Sequence, residues 1–139
     1  MKNLLLLSTL FVLVFVSGCS KEQGVDNTTP WVGVYAGDQG STFKRLVVTK
    51  ADDNSLNIQM KAEENSYYYT YGTIKKAMLN EPYKAQINEQ GNLTEYLGVF
   101  NFKGVAGLNG DKLTFTCTAS GTSAENKTQS FNFVGTRVK

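Results

Sequence analysis

Ser55-Leu56-Asn57-Ile58-Gln59-Met60-Lys61-Ala62-Glu63 is the stretch that decides the fold. Leu56, Ile58, Met60 and Ala62 take every second position, and Asn57, Gln59, Lys61 and Glu63 fill the places between. A β-strand points successive side chains to opposite faces, so this run has one dry face and one wet face. Such a strand belongs in an antiparallel sheet with a core on one side and water on the other. Wound as a helix, the same residues would scatter their apolar groups around the whole circumference.

The alternation continues in both directions. Upstream, Ala51-Asp52-Asp53-Asn54 reads as a turn, and residues 43–50 as a strand with Leu46 and Val48 facing inward. Before it, Gly37 to Ser41 is a turn, and Trp31-Val32-Gly33-Val34-Tyr35 is the first strand, with Trp31, Gly33 and Tyr35 on one side. Downstream, residues 67–74 form a fourth strand, and residues 75–82 fit either more strand or a short helical turn. Residues 83–87 alternate again, residues 88–92 are a turn, and residues 93–102 carry Tyr96, Phe100 and Phe102 on an apolar face, with Gly98 marking a bulge. Asn109-Gly110 is the strongest hairpin signal, because a two-residue type I′ turn needs positive φ at both central positions. A polar loop over 119–129 and a strand over 131–138 complete the chain. The expected fold is therefore all-β, a single antiparallel up-and-down barrel of about eight strands, with a β-sandwich as the alternative. Closing the sheet removes the edges that invite aggregation.

The start of the chain is different in kind. Lys2 precedes an almost unbroken apolar run over residues 4–16, too short for the roughly 20 residues of a membrane-spanning helix and suited to a signal peptide. Val16-Ser17-Gly18-Cys19 resembles the lipobox of bacterial lipoproteins, in which small residues precede the cysteine that takes the lipid. The resemblance implies a signal-peptide helix over 1–18 in the precursor, cleavage before Cys19, and a diacylglyceryl group on its thiol. One acyl chain holds a protein only marginally, and the two or three chains of that pathway anchor it firmly. Ser20 in place of aspartate implies the outer membrane within a cell-envelope location. Residues 19–30, polar and ending at Pro30, read as a lipidated flexible tether, and 31–139 as the barrel domain.

Composition narrows the chemistry. The 14 Lys and Arg against 12 Asp and Glu are nearly balanced and scattered, which gives no electrostatic case for nucleic acid. With no histidine, the chain lacks the commonest general base and metal ligand, and every Ser-His or Cys-His arrangement. Asp52-Asp53-Asn54 lacks the calcium-loop spacing, and Glu63, Glu64, Glu81, Glu89 and Glu95 have no fixed separation to serve as a carboxylate pair. The chain is expected to be no enzyme, with no cofactor and no metal, and to be a monomer. Cys117 shares a face with Leu113 and Phe115 and reads as a small buried apolar residue.

Trp31-x-Gly33-x-Tyr35 at the start of the domain and Phe131-x-Phe133-x-Gly135-x-Arg137 at its end resemble small lipocalin-like (calycin-like) bacterial lipoproteins. The usual Gly-x-Trp order of lipocalins is absent. The likeness implies a tryptophan, Trp31, packed across the closed end of a barrel, with an arginine, Arg137, lying over it. As a binding module, the barrel would hold a small apolar or amphipathic molecule in an interior or mouth lined by Trp31, Tyr35, Met60, Tyr96, Phe100, Phe115 and Phe133, although small barrels are often filled by their own side chains. Alternatively, the run Tyr67-Tyr68-Tyr69-Thr70-Tyr71 exposes Tyr67, Tyr69 and Tyr71 on one strand face, where they contact an envelope protein, an enzyme to be inhibited, or glycan. Packing of that row within the barrel is the competing structural reading.

Overall fold

Leu56, Ile58 and Met60 lie with no accessible surface inside a closed barrel, as their spacing requires. The computed structural model describes residues 25–64, 67–96, 98–122 and 128–139. The leader, Cys19 and the first part of the tether fall outside these residues. A single 3-10 turn, Thr29–Trp31, precedes eight strands: β1 Gly33–Gly37, β2 Arg45–Asp52, β3 Ser55–Glu64, β4 Tyr67–Glu81, β5 Lys84–Gly91, β6 Phe100–Asn109, β7 Lys112–Gly121 and β8 Thr128–Arg137. Each pairs antiparallel with its sequence neighbour, and β1 returns to β8 through Tyr35↔Arg137, Ala36↔Thr136 and Gly37↔Gly135. This up-and-down closure rules out the sandwich.

Several boundaries differ from the sequence reading, each for a local reason. Trp31 sits in the 3-10 turn that Pro30 favours, so β1 begins two residues later. Residues 75–82 are strand throughout. Ile58 pairs with Ile74 but Leu56 pairs with Ala77, so β4 carries one extra residue, and Lys75 and Lys76 both face water between buried Ile74 and Ala77. That bulge is what broke the alternation. Residues 88–91, read as a turn, remain in β5, whereas residues 92–96 and 98–99 lie outside the strands, with Gly98 at φ +122°. The β2–β3 turn shortens to Asp53-Asn54, with Asn54 N–H donating to Asp52 Oδ1 at 3.0 Å. The β6–β7 hairpin pairs Asn109 with Lys112, so its loop is Gly110-Asp111 and the glycine takes the left-handed position at φ +58°.

The two ends are unlike. Tight turns at 53–54, 82–83 and 110–111, the start of β1 and the end of β8 gather at one end, and the other four connections, three of them longer, gather at the other. Trp31 closes the first. Its Nε1 donates to the Pro82 carbonyl at 2.8 Å, halfway around the ring, and its own carbonyl accepts from the Tyr35 hydroxyl at 2.8 Å. Arg137 holds the turn from outside by donating to the carbonyls of Pro30 and Val32 on either side of Trp31. Its guanidinium lies 5.0 Å from the centre of the Tyr35 ring and 3.3 Å from the Asp111 carboxylate. Burial raises the Tyr35 pKa, an effect the neighbouring guanidinium opposes.

The chain leading into this end is also attached. Asp26 accepts from the backbone and hydroxyl of Thr28, at 2.9 and 2.6 Å, and from Lys50 Nζ at 2.9 Å. These donors, the Thr28 hydroxyl first, hold its carboxyl far below the usual range. Thr28 is fully buried. Residues 26–30, the expected end of the tether, thus pack on the barrel.

Candidate functional site

Closure is incomplete as a backbone ladder, and the gaps shape the open end. After Gly37, β1 leaves β8, and the β1–β2 connection takes its place. Asp38 and Thr42 donate backbone N–H groups to the carbonyls of Val134 and Asn132, each at 2.7 Å. The hydroxyls of Ser41 and Thr42 accept from the N–H groups of Val134 and Asn132, at 3.0 and 2.9 Å. Buried or half-buried backbone groups need partners, and here side chains supply what a strand would.

A second seam lies opposite, between β4 and β5. Their ladder runs only from Met78↔Gln86 to Glu81↔Lys84. Above it the Glu89 carboxylate accepts from the backbone N–H of Lys75 and of Lys76. Leu93, buried to 1% exposure, makes an isolated bridge to Gly72, and Thr94 N–H donates to the Tyr71 carbonyl at 2.7 Å. Gly72 leaves room here, since a Cβ on it would meet Met60 Cε at 2.7 Å and Leu93 Cδ2 at 3.0 Å.

Burial raises the Glu89 pKa above its ordinary 4.5, against the pull of the two N–H donors. A carboxyl with a raised folded pKa favours folding most when protonated, and that contribution is lost as pH rises through the folded value. Glu89→Gln keeps an acceptor and removes the charge, so it is expected to flatten the fall in stability as pH climbs above 4.5. Glu89→Ala orphans two N–H groups and is expected to cost about 1–3 kcal/mol. Urea titrations at several pH values read both effects.

Between the seams, three rings form the floor of the mouth. Phe43, Tyr71 and Phe131 stand at centroid separations of 5.5, 5.3 and 5.9 Å, tilted or edge-on to one another. Such geometry suits the ring quadrupoles. Phe43 and Phe131 are each 3% exposed, whereas Tyr71 is half-buried and donates its hydroxyl to Gln129 Oε1 at 2.9 Å. A hollow of about 410 Å³ opens above them, with Thr42, Gln129 and Ser130 as a polar rim and Ala62 on the wall. Tyr71 reaches the floor through a second bulge. Met60 pairs with Gly72 and Lys61 with Thr70, so Tyr71 is the extra residue of β4.

The seven residues expected to line the interior or mouth divide between the packed core and the open end. Trp31, Tyr35 and Met60 have no accessible surface, and Phe115 and Phe133 have 1%. A side chain with none touches no water-sized void, so Trp31, Tyr35 and Met60 are packed core, while Phe115 borders a hollow of about 510 Å³ with Ala85 and Ala106. Phe100 and Tyr96 pack edge-on at 5.9 Å beside the open end, Tyr96 half-buried. Of the tyrosine row, Tyr71 lies in the mouth, while the side chains of Tyr67 and Tyr69 fall outside the described residues. Glu81 pairs with Lys84 at the closed end, Glu89 serves the seam and Glu95 is exposed in the 92–99 loop; the side chains of Glu63 and Glu64 are outside the description. Asp53 pairs with Lys50 at the β2–β3 turn. Cys117 is buried, and burial pushes its thiol up to about 12, so it is inert at neutral pH.

Sequence reading missed Phe43 and Phe131 as site residues. Phe131 was within reach, because it shares the phase of Phe133 on β8. Phe43 lies in the β1–β2 connection, where no period marks a buried residue. No family model matches the chain, and neither curated proteins nor solved structures give a match.

Proposed function

We propose that this chain is an exported lipoprotein, lipidated at Cys19 and held in the cell envelope at the outer membrane, whose barrel is a binding module and not an enzyme. It takes a small apolar or amphipathic group at the mouth. The observation that carries this reading is the aromatic floor of Phe43, Tyr71 and Phe131 beneath a polar rim. A hollow of about 410 Å³ falls in the range of small-molecule sites, and an apolar floor with few polar groups is their usual chemistry. The filled interior argues for the mouth over a deep chamber. Gln129, fixed by the Tyr71 hydroxyl, leaves its amide N–H groups to orient a ligand acceptor. The same floor suits an apolar side chain or sugar face offered by an envelope protein or glycan, and the tyrosine run at the start of β4 favours that second reading.

A fluorescent amphipathic naphthylamine probe, titrated into the purified domain, tests the first reading. Saturable binding is expected, weakened about tenfold, or about 1.4 kcal/mol, by Ala62→Phe, which fills the hollow without removing a floor ring. Tyr71→Phe is expected to weaken it only a few fold. A probe that shows no saturation with the unaltered domain sinks the small-ligand reading.

A further inference from the structure

The closed end has features that its role as a plug does not use. Of the eight exposed large apolar side chains among the described residues, Val25, Val32, Tyr83 and Val138 sit there, Val25 at 77% and Tyr83 at 58% exposure, while Met78, Val99, Val105 and Val134 are spread over the rest of the barrel. They flank the 3-10 turn, the β4–β5 turn and the end of β8. Acidic groups at this end are each engaged by a cation: Asp26 and Asp53 by Lys50, Asp52 by Lys76, Glu81 by Lys84, and Asp111 by Arg137. A surface of paired charges and projecting apolar groups, with a tyrosine among them, suits the headgroup level of a bilayer, where amphipathic rings and lysine stems settle.

We propose that the closed end rests on the bilayer that holds the Cys19 lipid, with Val25, Val32, Tyr83 and Val138 at headgroup level and the mouth turned away from the membrane. This rests on the lipoprotein reading above and adds an orientation and a lipid contact to it. Chain length supports it independently of the apolar residues. Asp26 is bonded to Thr28 and Lys50 at the rim of the closed end, so the span back to Cys19 is counted from Val25. The six residue steps from Cys19 to Val25 reach about 20 Å at full extension. Ten-residue strands such as β6 rise about 33 Å, or about 25 Å along the axis of a tilted barrel. A leash of that length, fixed at one end of the barrel, cannot bring the other end to the membrane with the first held above it.

The processed, lipidated full chain in vesicles of phosphatidylethanolamine and phosphatidylglycerol provides the test. An environment-sensitive dye is placed on Tyr83→Cys or Asn54→Cys at the closed end, or on Thr122→Cys at the open end, and quenched with spin-labelled lipid. Buried Cys117 does not compete for the dye. At least threefold stronger quenching is expected at positions 83 and 54 than at 122, falling toward the open-end value at position 54 when Val32→Glu and Val138→Glu are combined. Equal quenching at both ends of a chain that incorporates labelled palmitate overturns the orientation and leaves the lipoprotein reading standing. Palmitate missing from the unaltered chain, as it is expected to be from Cys19→Ala, removes both.

Discussion

Trp31→Ala is expected to lower the unfolding free energy by about 3–5 kcal/mol, a large part of the 5–15 kcal/mol typical of a domain. Three losses add up at this position. The side chain has no accessible surface, so its removal leaves a void that a close-packed wall fills only in part. The Pro82 carbonyl loses its donor, and with it a side-chain bond that crosses the end from the 3-10 turn to the β4–β5 turn. The turn that Arg137 grips through Pro30 and Val32 then has nothing beneath it. Trp31→Phe keeps one ring but loses the N–H donor and part of the buried indole volume, and is expected to cost about 1–3 kcal/mol. Urea unfolding followed by far-ultraviolet circular dichroism suits both variants, since each removes the only tryptophan. A midpoint for Trp31→Ala within experimental error of the parent would show that the end is held by something else.

Gly135→Val attacks closure directly. A Cβ on Gly135 would lie 2.4 Å from the Ala36 carbonyl oxygen and about 2.5 Å from the Phe133 ring. The first is backbone and cannot move aside without parting β8 from β1, which meet over only three residue pairs. Overpacking of this kind costs about 1–3 kcal/mol and more where backbone must shift. A second effect is expected to be larger in practice, because an opened β1–β8 seam exposes two strand edges and size-exclusion profiles move to aggregates. Gly107→Ala is the matched control. Its Cβ would meet only the Thr114 hydroxyl, at 2.9 Å, which can rotate away, and a change below about 1 kcal/mol is expected. Equal behaviour of the two variants would remove steric closure as the cause.

The fold was legible wherever one strand face met the core without interruption. Leu56, Ile58 and Met60 announced β3, Leu46 and Val48 announced β2, and Leu113, Phe115 and Cys117 announced β7, because period-two alternation follows from the pleat alone. Legibility failed at bulges. Lys75 and Lys76 both face water and made the second half of β4 resemble a helical turn. The seams were invisible for a different reason. Glu89, Ser41 and Thr42 are ordinary surface types, and only three-dimensional placement opposite unpaired backbone gives them their part. Of the mouth, Tyr71 was singled out on its strand, but its partner Phe43 comes from a connection where nothing local signals burial.

The placement of the two side-chain-stitched joints, on opposite sides of the ring and both toward the rim, has a mechanical outcome. Cut along those two lines, the wall would separate into plates of four strands, β1 to β4 and β5 to β8, each continuous within itself. Near Trp31 the plates stay joined by true ladders on both flanks. The rim is therefore expected to yield before the base, because parting the plates there breaks the backbone bonds of Asp38, Thr42 and Thr94, the short Gly72–Leu93 bridge and the Ser41, Thr42 and Glu89 contacts, while the ladders near Trp31 stay whole.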